Sequence, residues 1–286
     1  MTAGWTPGRF VVKRVARVLA VMLVLACSGP ALAAQDGDGY ASLLARHVSD
    51  GHVNYAGMVR DRGEVLAIAA GLAAVEAQTE RAWPRAQRMA FWINAYNFFT
   101  LHAIVDHYPI RGSWFSRYPQ NSIRQIDGVW TTLTWRVAGR QVSLDDIEHR
   151  ILRPEFKDPR IHFAVNCASL GCPPLRGEPY RAGTLDAQLD DNARQFLASP
   201  HGLRVDGRTL AITSILKWYG GDFVDQFARL APGVRDPRQA AAVGVVATYG
   251  PAAAADLARS PGVRVRYLDY DWALNDTAAS PAAPSR

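Results

Sequence analysis

Between Pro84 and Pro109 the chain reads as one long helix, from about Arg85 to His107. Proline is tolerated in the first turn of a helix and disfavours helical geometry in the residue before it, so the two prolines mark a start and a stop. Phe91, Trp92, Phe98 and Phe99 make most of its circumference apolar. A helix apolar on so many sides belongs in an interior, and any fold for this chain has to wrap around it. At about 100° per residue, Asn94, Asn97 and Leu101 fall on one stripe. Two buried amides must find partners or cost about 1–3 kcal/mol each. Either Asn94 and Asn97 line a polar site and orient a substrate or a base, or they tie down neighbouring backbone such as a loop. His102 lies about 12 Å along the axis from Asn94, so both can edge one cleft without touching. It also stands four residues before Asp106, which permits a pair at the helix end.

The N-terminus sets the expected compartment. Arg9, Lys13, Arg14 and Arg17 precede an unbroken apolar run from Val18 to Ala26, and Ala31-Leu-Ala33 follows at an A-x-A spacing. This is the pattern of a signal peptide over residues 1–33, cut after Ala33 or Ala34. The run is shorter than the roughly 20 residues a spanning helix needs, so no membrane span is expected after cleavage. A lipid anchor on Cys27 is the minority alternative. Cleavage removes four of the 32 Lys+Arg and none of the 26 Asp+Glu, leaving a net charge of about +2. No basic run remains to suggest a nucleic-acid partner. A periplasmic or secreted protein is expected.

The rest divides into a helical lead-in over 34–74, a core domain over 75–274 and a disordered tail over 275–286. Helices are expected over 35–47, 63–80, 184–198 and 236–249, with a further one from a Ser143/Asp146 capping box through Leu152 to a stop at Pro154. Another starts at Ser214, reaches Trp218 and breaks at Gly220-Gly221. Strands are expected over 129–137, turned back by Ala138-Gly139-Arg140, and over 160–166, 203–212 as a hairpin, and 263–272. Mixed elements without regular βαβ alternation predict an α+β single domain, a mixed sheet packed by helices.

Arg160 to Leu175 holds both cysteines outside the leader, Cys167 and Cys172, with Asn166 and Ser169 beside them. An oxidising compartment and a spacing with four residues between the cysteines suit a disulfide. Three other readings remain. One is a nucleophilic thiolate at Cys167, with Asn166, Ser169 and loop amides as oxyanion donors. The others are a buried inert thiol and a metal ligand, although C-x4-C with one distant His is not a usual zinc spacing. If 161–166 is extended, His162, Ala164 and Asn166 share one face, and His162 stands about 16 Å from Cys167. A base for Cys167 then comes from His102 or His149, and His162 lines a pocket wall or sits in the interior. Glu148, beside Ile147 and Ile151, is either the acid/base carboxylate of a pocket or the partner of Arg153 or Arg124. Lys217, Trp218, Tyr219 and Asp222, beside the Gly220-Gly221 break, are either core or a stacking rim for a ligand.

Four segments carry a resemblance. They are Phe91-Trp-Ile-Asn-Ala-Tyr-Asn97 with His102; Ser143-Leu-Asp-Asp-Ile-Glu-His149 with Leu152-Arg153; Ile161-His-Phe-Ala-Val-Asn-Cys167 with Cys172-Pro-Pro-Leu175; and Ile215 to Phe223. In order and spacing they resemble the domain-of-unknown-function 547 family over roughly residues 75–225, and Tyr267 to Trp272 is also similar. The family has no settled activity, so the resemblance implies a fold neighbourhood and motif residues, not a mechanism. A helix followed by a His-bearing strand is distantly similar to papain and the transglutaminases, with asparagine where their thiol stands, an analogy of fold only.

Two functions are therefore expected. One is a hydrolase or acyl transferase on an envelope amide or ester, with Cys167 as nucleophile, His102 or His149 as base, Asn97 or Asn94 as orienter and Glu148 in the pocket. The other is a non-catalytic binding module for a small molecule, its pocket rim shaped by a Cys167–Cys172 disulfide and lined by Asn94, His162, Asn166, Ser169 and Trp218. A thiol-redox role is weaker, because C-x4-C lacks the C-x-x-C geometry. No cofactor or metal is expected.

Overall fold

The computed structural model describes residues 1, 2, 4 and 38–279, so the leader, its Cys27 and the end of the tail lie outside it. The chain enters through α1 (Asp38–His47), a two-stranded antiparallel pair β1 (Val48–Ser49) and β2 (His52–Val53), and helices α2 (Tyr55–Arg60), α3 (Arg62–Ala74) and α4 (Ala77–Ala82). The helix expected over 63–80 is thus broken, because Val75 is extended. The break sets Glu80 fully inside, where it accepts from Trp92 Nε1 and Arg88 Nε, each at 2.8 Å.

The central helix is α5 (Arg85–His107). It ends at an extended Tyr108 before Pro109, and from Met89 to Val105 only Asn94 is not buried. Around it packs the first apolar cluster, from α1 to α4, residues 123–152 and the start of the next half. The hairpin is shorter than expected: β3 (Trp135–Val137) pairs with β4 (Arg140–Val142). Ala138 and Gly139 both have positive φ, as a tight two-residue turn requires. Residues 129–134 are not strand, because Gly128 O collects the N–H groups of Thr131, Thr132 and Leu133.

Ser143 and Asp146 form the reciprocal cap: the Asp146 carboxylate accepts from Ser143 N and Oγ, and Asp146 N–H donates to Ser143 Oγ. What they start is a π-helix, Asp146–Phe156, which runs through Pro154 instead of stopping there. The segment 160–166 is not a strand either. Asp158 accepts the N–H of Arg160 and Pro159 opens a 3-10 helix, Pro159–Phe163, after which the N–H groups of Ala164 and Val165 both turn back to Ile161 O. Helix-start chemistry overrides the apolar run.

This short helix joins the two halves. Ile161, Ala164 and Val165 enter the first cluster and Phe163 enters the second. Helix α6 (Leu185–Ala198) spans both in the same way. The second cluster gathers the hairpin β5 (Leu203–Asp206) and β6 (Thr209–Ile212), the short α7 (Ile215–Trp218) and α8 (Val224–Phe227), helices α9 (Pro237–Tyr249) and α10 (Ala252–Arg259), and β7 (Arg264–Tyr267). Strand β7 lies parallel to β6, with Ile212 opposite Tyr267. It is shorter than the expected 263–272, because the chain leaves the sheet at Leu268 to reach the cysteine loop. Ser214 marks the start of α7, but its hydroxyl donates to Leu268 O at 2.6 Å instead of capping the helix. The fold is a single α+β domain, and among the described residues its β content is three small sheets, only one of them mixed. No described helix is long and apolar enough to cross a membrane.

Candidate functional site

The cysteine loop is fixed from both sides. From α5, Asn97 Nδ2 donates to Ala164 O at 2.9 Å, and its Oδ1 accepts Asn166 N–H at 2.8 Å. Asn166 in turn accepts from Ala168 N–H and donates to Pro173 O, closing the loop on itself. Ala168 carries a positive φ of 57°, an uncommon backbone for a residue with a side chain and one held here by those bonds. From the C-terminal side, Leu170 N–H donates to Ala273 O and Gly171 N–H to Asp271 O. A Cβ on Gly171 would stand 2.9 Å from the Asp271 backbone, so only glycine permits this approach.

Cys167 and Cys172 are joined as a disulfide. The Tyr270 hydroxyl lies 3.1 and 3.0 Å from the two sulfurs and receives the Ser169 hydroxyl at 3.1 Å. Burial pushes the Tyr270 phenol well above its usual range, so it remains an O–H donor. A sulfur held in a disulfide is no nucleophile, and this corrects the expected role of Cys167 as a thiolate in this form of the protein. Ser169, spent on Tyr270, is not a free oxyanion donor.

The disulfide forms one wall of a cleft of about 620 Å³ at the junction of the two apolar clusters. Its floor comes from the π-helix. Glu148 is buried and accepts hydrogen bonds from the Tyr96 and Tyr219 hydroxyls. Burial first, and then the charge of Glu148, push both phenols far up. Beside them, His162 stacks on the Tyr219 ring at 4.0 Å. His162 Nε2 meets Asp222 Oδ2 at 2.8 Å, while its buried Nδ1 has no hydrogen-bond partner and stands 3.8 Å from Glu148 Oε1. Asp222 also takes a two-pronged contact from Arg153, at 2.7 and 2.8 Å. Burial alone would raise the Asp222 carboxyl, but the hydrogen bonds from His162 and Arg153 hold it well below the usual range. Arg153 also donates to His149 Nδ1 at 3.1 Å, which leaves the ring proton on Nε2, facing Asp145 at 3.3 Å.

The rim is aromatic. Tyr270 lies 4.5 Å from Trp272 and 4.9 Å from Trp218, ring centre to ring centre, and Trp130 closes on Trp272 at 6.3 Å. Trp218 is 48% exposed, so half of a large apolar ring is left to solvent at the mouth.

Of the residues singled out from sequence, Glu148, His149, His162, Cys167, Cys172 and Trp218 line this cleft. Asn166 and Ser169 lie buried in the loop behind its wall. Asn94 and Asn97 do not line it: Asn94 exchanges hydrogen bonds with the Tyr180 backbone at 2.9 and 2.8 Å, and Asn97 is spent on the cysteine loop. His102 does not line it either, and so is not placed as a base for Cys167. It sits among Phe98, Phe99 and Trp135 with Asp106 at 3.1 Å, and burial lowers its pKa. The partner foreseen for Glu148 is also corrected. Arg153 pairs with Asp222 and Arg124 stacks on aromatic rings, while Glu148 is held by tyrosines. His162 and Cys167 reach one cleft because the segment between them is coiled, not extended. Tyr219 and Asp222 were expected at most as part of a stacking rim with Trp218, and Tyr96, Tyr270 and Trp272 were not singled out as site residues, although each lies in a segment that carries the family resemblance. Among the described residues, no cluster of three His, Cys, Asp or Glu side chains is placed to hold a metal ion.

A family model described as a protein of unknown function, DUF547, matches residues 81–197. No curated protein and no solved structure matches the chain.

Proposed function

We propose that this chain, which through residues 81–197 belongs to the DUF547 family, is an exported protein that binds a small organic molecule in the disulfide-walled cleft. The observation that carries this reading is the pairing of an open aromatic rim with a floor of fixed hydrogen-bonding groups. A flat apolar face of a ligand stacks on Trp218, Tyr270 and Trp272, and its polar edge meets Glu148 and His162. The volume is that of an ordinary small-molecule site. Export is supported by the leader composition and by the disulfide, which persists in oxidising compartments.

One observation favours a second reading, acid–base catalysis without a thiol. Asp222 orients His162 through Nε2 and leaves Nδ1 unpartnered toward Glu148, an arrangement in which an imidazole can take a proton from a bound molecule.

The test of binding is titration of the mature protein with N-phenyl-1-naphthylamine, a neutral dye with flat rings and one N–H. Saturable binding at one site, weakened in Trp218→Ala with an unchanged melting temperature, supports the cleft. Absence of binding, or binding indifferent to Trp218 and Trp272, overturns it. Catalysis would instead show as turnover of a screened ester or amide that is lost in His162→Gln and kept in Cys167→Ser.

A further inference from the structure

We infer that the ligand of the cleft is an organic anion, and that Arg124 binds its negative group. This rests on the cleft being a binding site, and it names the class of molecule that site selects.

Arg124 stands on the cleft wall in a 3-10 turn, Ile123–Gln125. The turn is anchored by buried Ile123 and Ile126, and Ser122 Oγ accepts the Arg124 N–H at 3.2 Å. The side chain is fixed as well. Its guanidinium carbon lies 4.6 Å from the Tyr118 ring centre, 5.0 Å from Trp272 and 5.3 Å from Trp130. Nη2 donates to the Tyr118 hydroxyl at 2.7 Å. Three rings thus hold one cation at the mouth of the cleft.

What the cation lacks is an anion. Among the other charged groups of the cleft, Arg153 pairs with Asp222, Asp222 with His162 and Asp145 with His149, while Glu148 stands 3.8 Å from His162. Among the described residues, no carboxylate lies within ion-pair distance of Arg124, and Asp127, three residues on and on the same wall, is not its partner. An ordinary surface arginine keeps its rotamer freedom and its hydration. Here stacking has already removed much of the freedom, so an incoming carboxylate or sulfonate meets a planar fork that is in place. Only one of its five N–H groups is committed to a side chain.

The experiment compares two dyes with one ring system, neutral N-phenyl-1-naphthylamine and its anionic sulfonate, 1-anilinonaphthalene-8-sulfonate, against the mature full-length protein and Arg124→Gln. The expected result is an affinity for the sulfonate at least about tenfold weaker in the variant, with the neutral dye unchanged within about twofold. Added salt should weaken the sulfonate only in the wild type. Equal loss for both dyes makes Arg124 a packing element of the rim and overturns the inference, as does no loss for either. If neither dye binds the wild type, the binding reading itself falls. Should Arg124→Gln melt early, Arg124→Lys is the second variant: it keeps the charge without the planar fork and should bind the sulfonate with intermediate affinity.

Discussion

Asn97 Oδ1 accepts the backbone N–H of Asn166 at 2.8 Å, joining the middle of the central helix to the start of the cysteine loop. The other end of the same amide holds Ala164 O, so one side chain satisfies a donor and an acceptor that lie two residues apart. The loop carrying the disulfide is thereby fixed to the most deeply buried element of the fold.

Replacing Asn97 with alanine leaves both backbone groups buried and unmatched. The expected loss is roughly 2–6 kcal/mol of unfolding free energy, from two groups at about 1–3 each. Urea denaturation gives the number, and hydrogen exchange at the Asn166 amide locates it. A change below about 0.5 kcal/mol would show that water replaces the clamp without cost.

The disulfide closes a short loop, so its effect on the unfolded chain is modest. Cys172→Ala should lower stability by about 2 kcal/mol and abolish the effect of dithiothreitol on the melting temperature. The intact protein, alkylated without reductant, should show no free thiol at Cys167 or Cys172. Two alkylated cysteines would return Cys167 to consideration as a nucleophile.

Asp222 gives the protein an acid dependence. Its folded carboxyl lies below its ordinary value of 3.8, so its contribution to stability is fully present above that value and is lost as pH falls through the lower folded one. Asp222→Asn should therefore be less stable than the wild type at neutral pH, and the difference should shrink in increasingly acid solution. Urea midpoints across that range test this. A gap independent of pH would mean that packing, not ionisation, accounts for it.

The phenols set the alkaline limit. Nine of the ten tyrosines are shifted upward, Tyr108 and Tyr249 to about 12 and several others further, in each case with burial as the first cause. Tyr118 goes the other way: burial would raise it, but hydrogen bonds from Arg117 and Arg124 lower it. Raised folded values stabilise the fold fully below the unfolded value of about 10 and cease to do so as pH rises beyond it. Phenolate absorbance should show about one group ionising below the usual phenol value of about 10 in the folded protein and the rest appearing together on unfolding. A smooth titration of most phenols without unfolding would contradict this.

The parts legible in the sequence are those set by local chemistry. Pro84 and Pro109 bound α5, the Ser143/Asp146 cap marks the start of the π-helix, and Asp236 caps α9 as a helix over 236–249 requires. The segment after Asp158 misleads because Ile161, Phe163 and Val165 look like one face of a strand, whereas burial on all sides suits a coiled segment between two clusters equally well. Pro154 misleads because the stop rule assumes α-helical spacing, and the turns here are wider. Glu148, His149 and Trp218 are legible as candidates for the cleft they line, since their own motifs are polar among apolar or aromatic beside a glycine break. The pairing of His162 with Asp222 spans 60 residues, and the ring set around Arg124 gathers positions from 118 to 272. No local pattern encodes either.

The order in which the chain supplies the cleft has a consequence for its synthesis. Its floor is encoded by Tyr96 and Glu148, its wall by Cys167 and Cys172, and its last two rings by Tyr270 and Trp272, beyond β7. A ribosome that stops after α10 has already made most of both apolar clusters, yet the rim of the cleft still lacks two of its rings. The cleft proposed as a binding site is therefore complete only once Trp272 is in place.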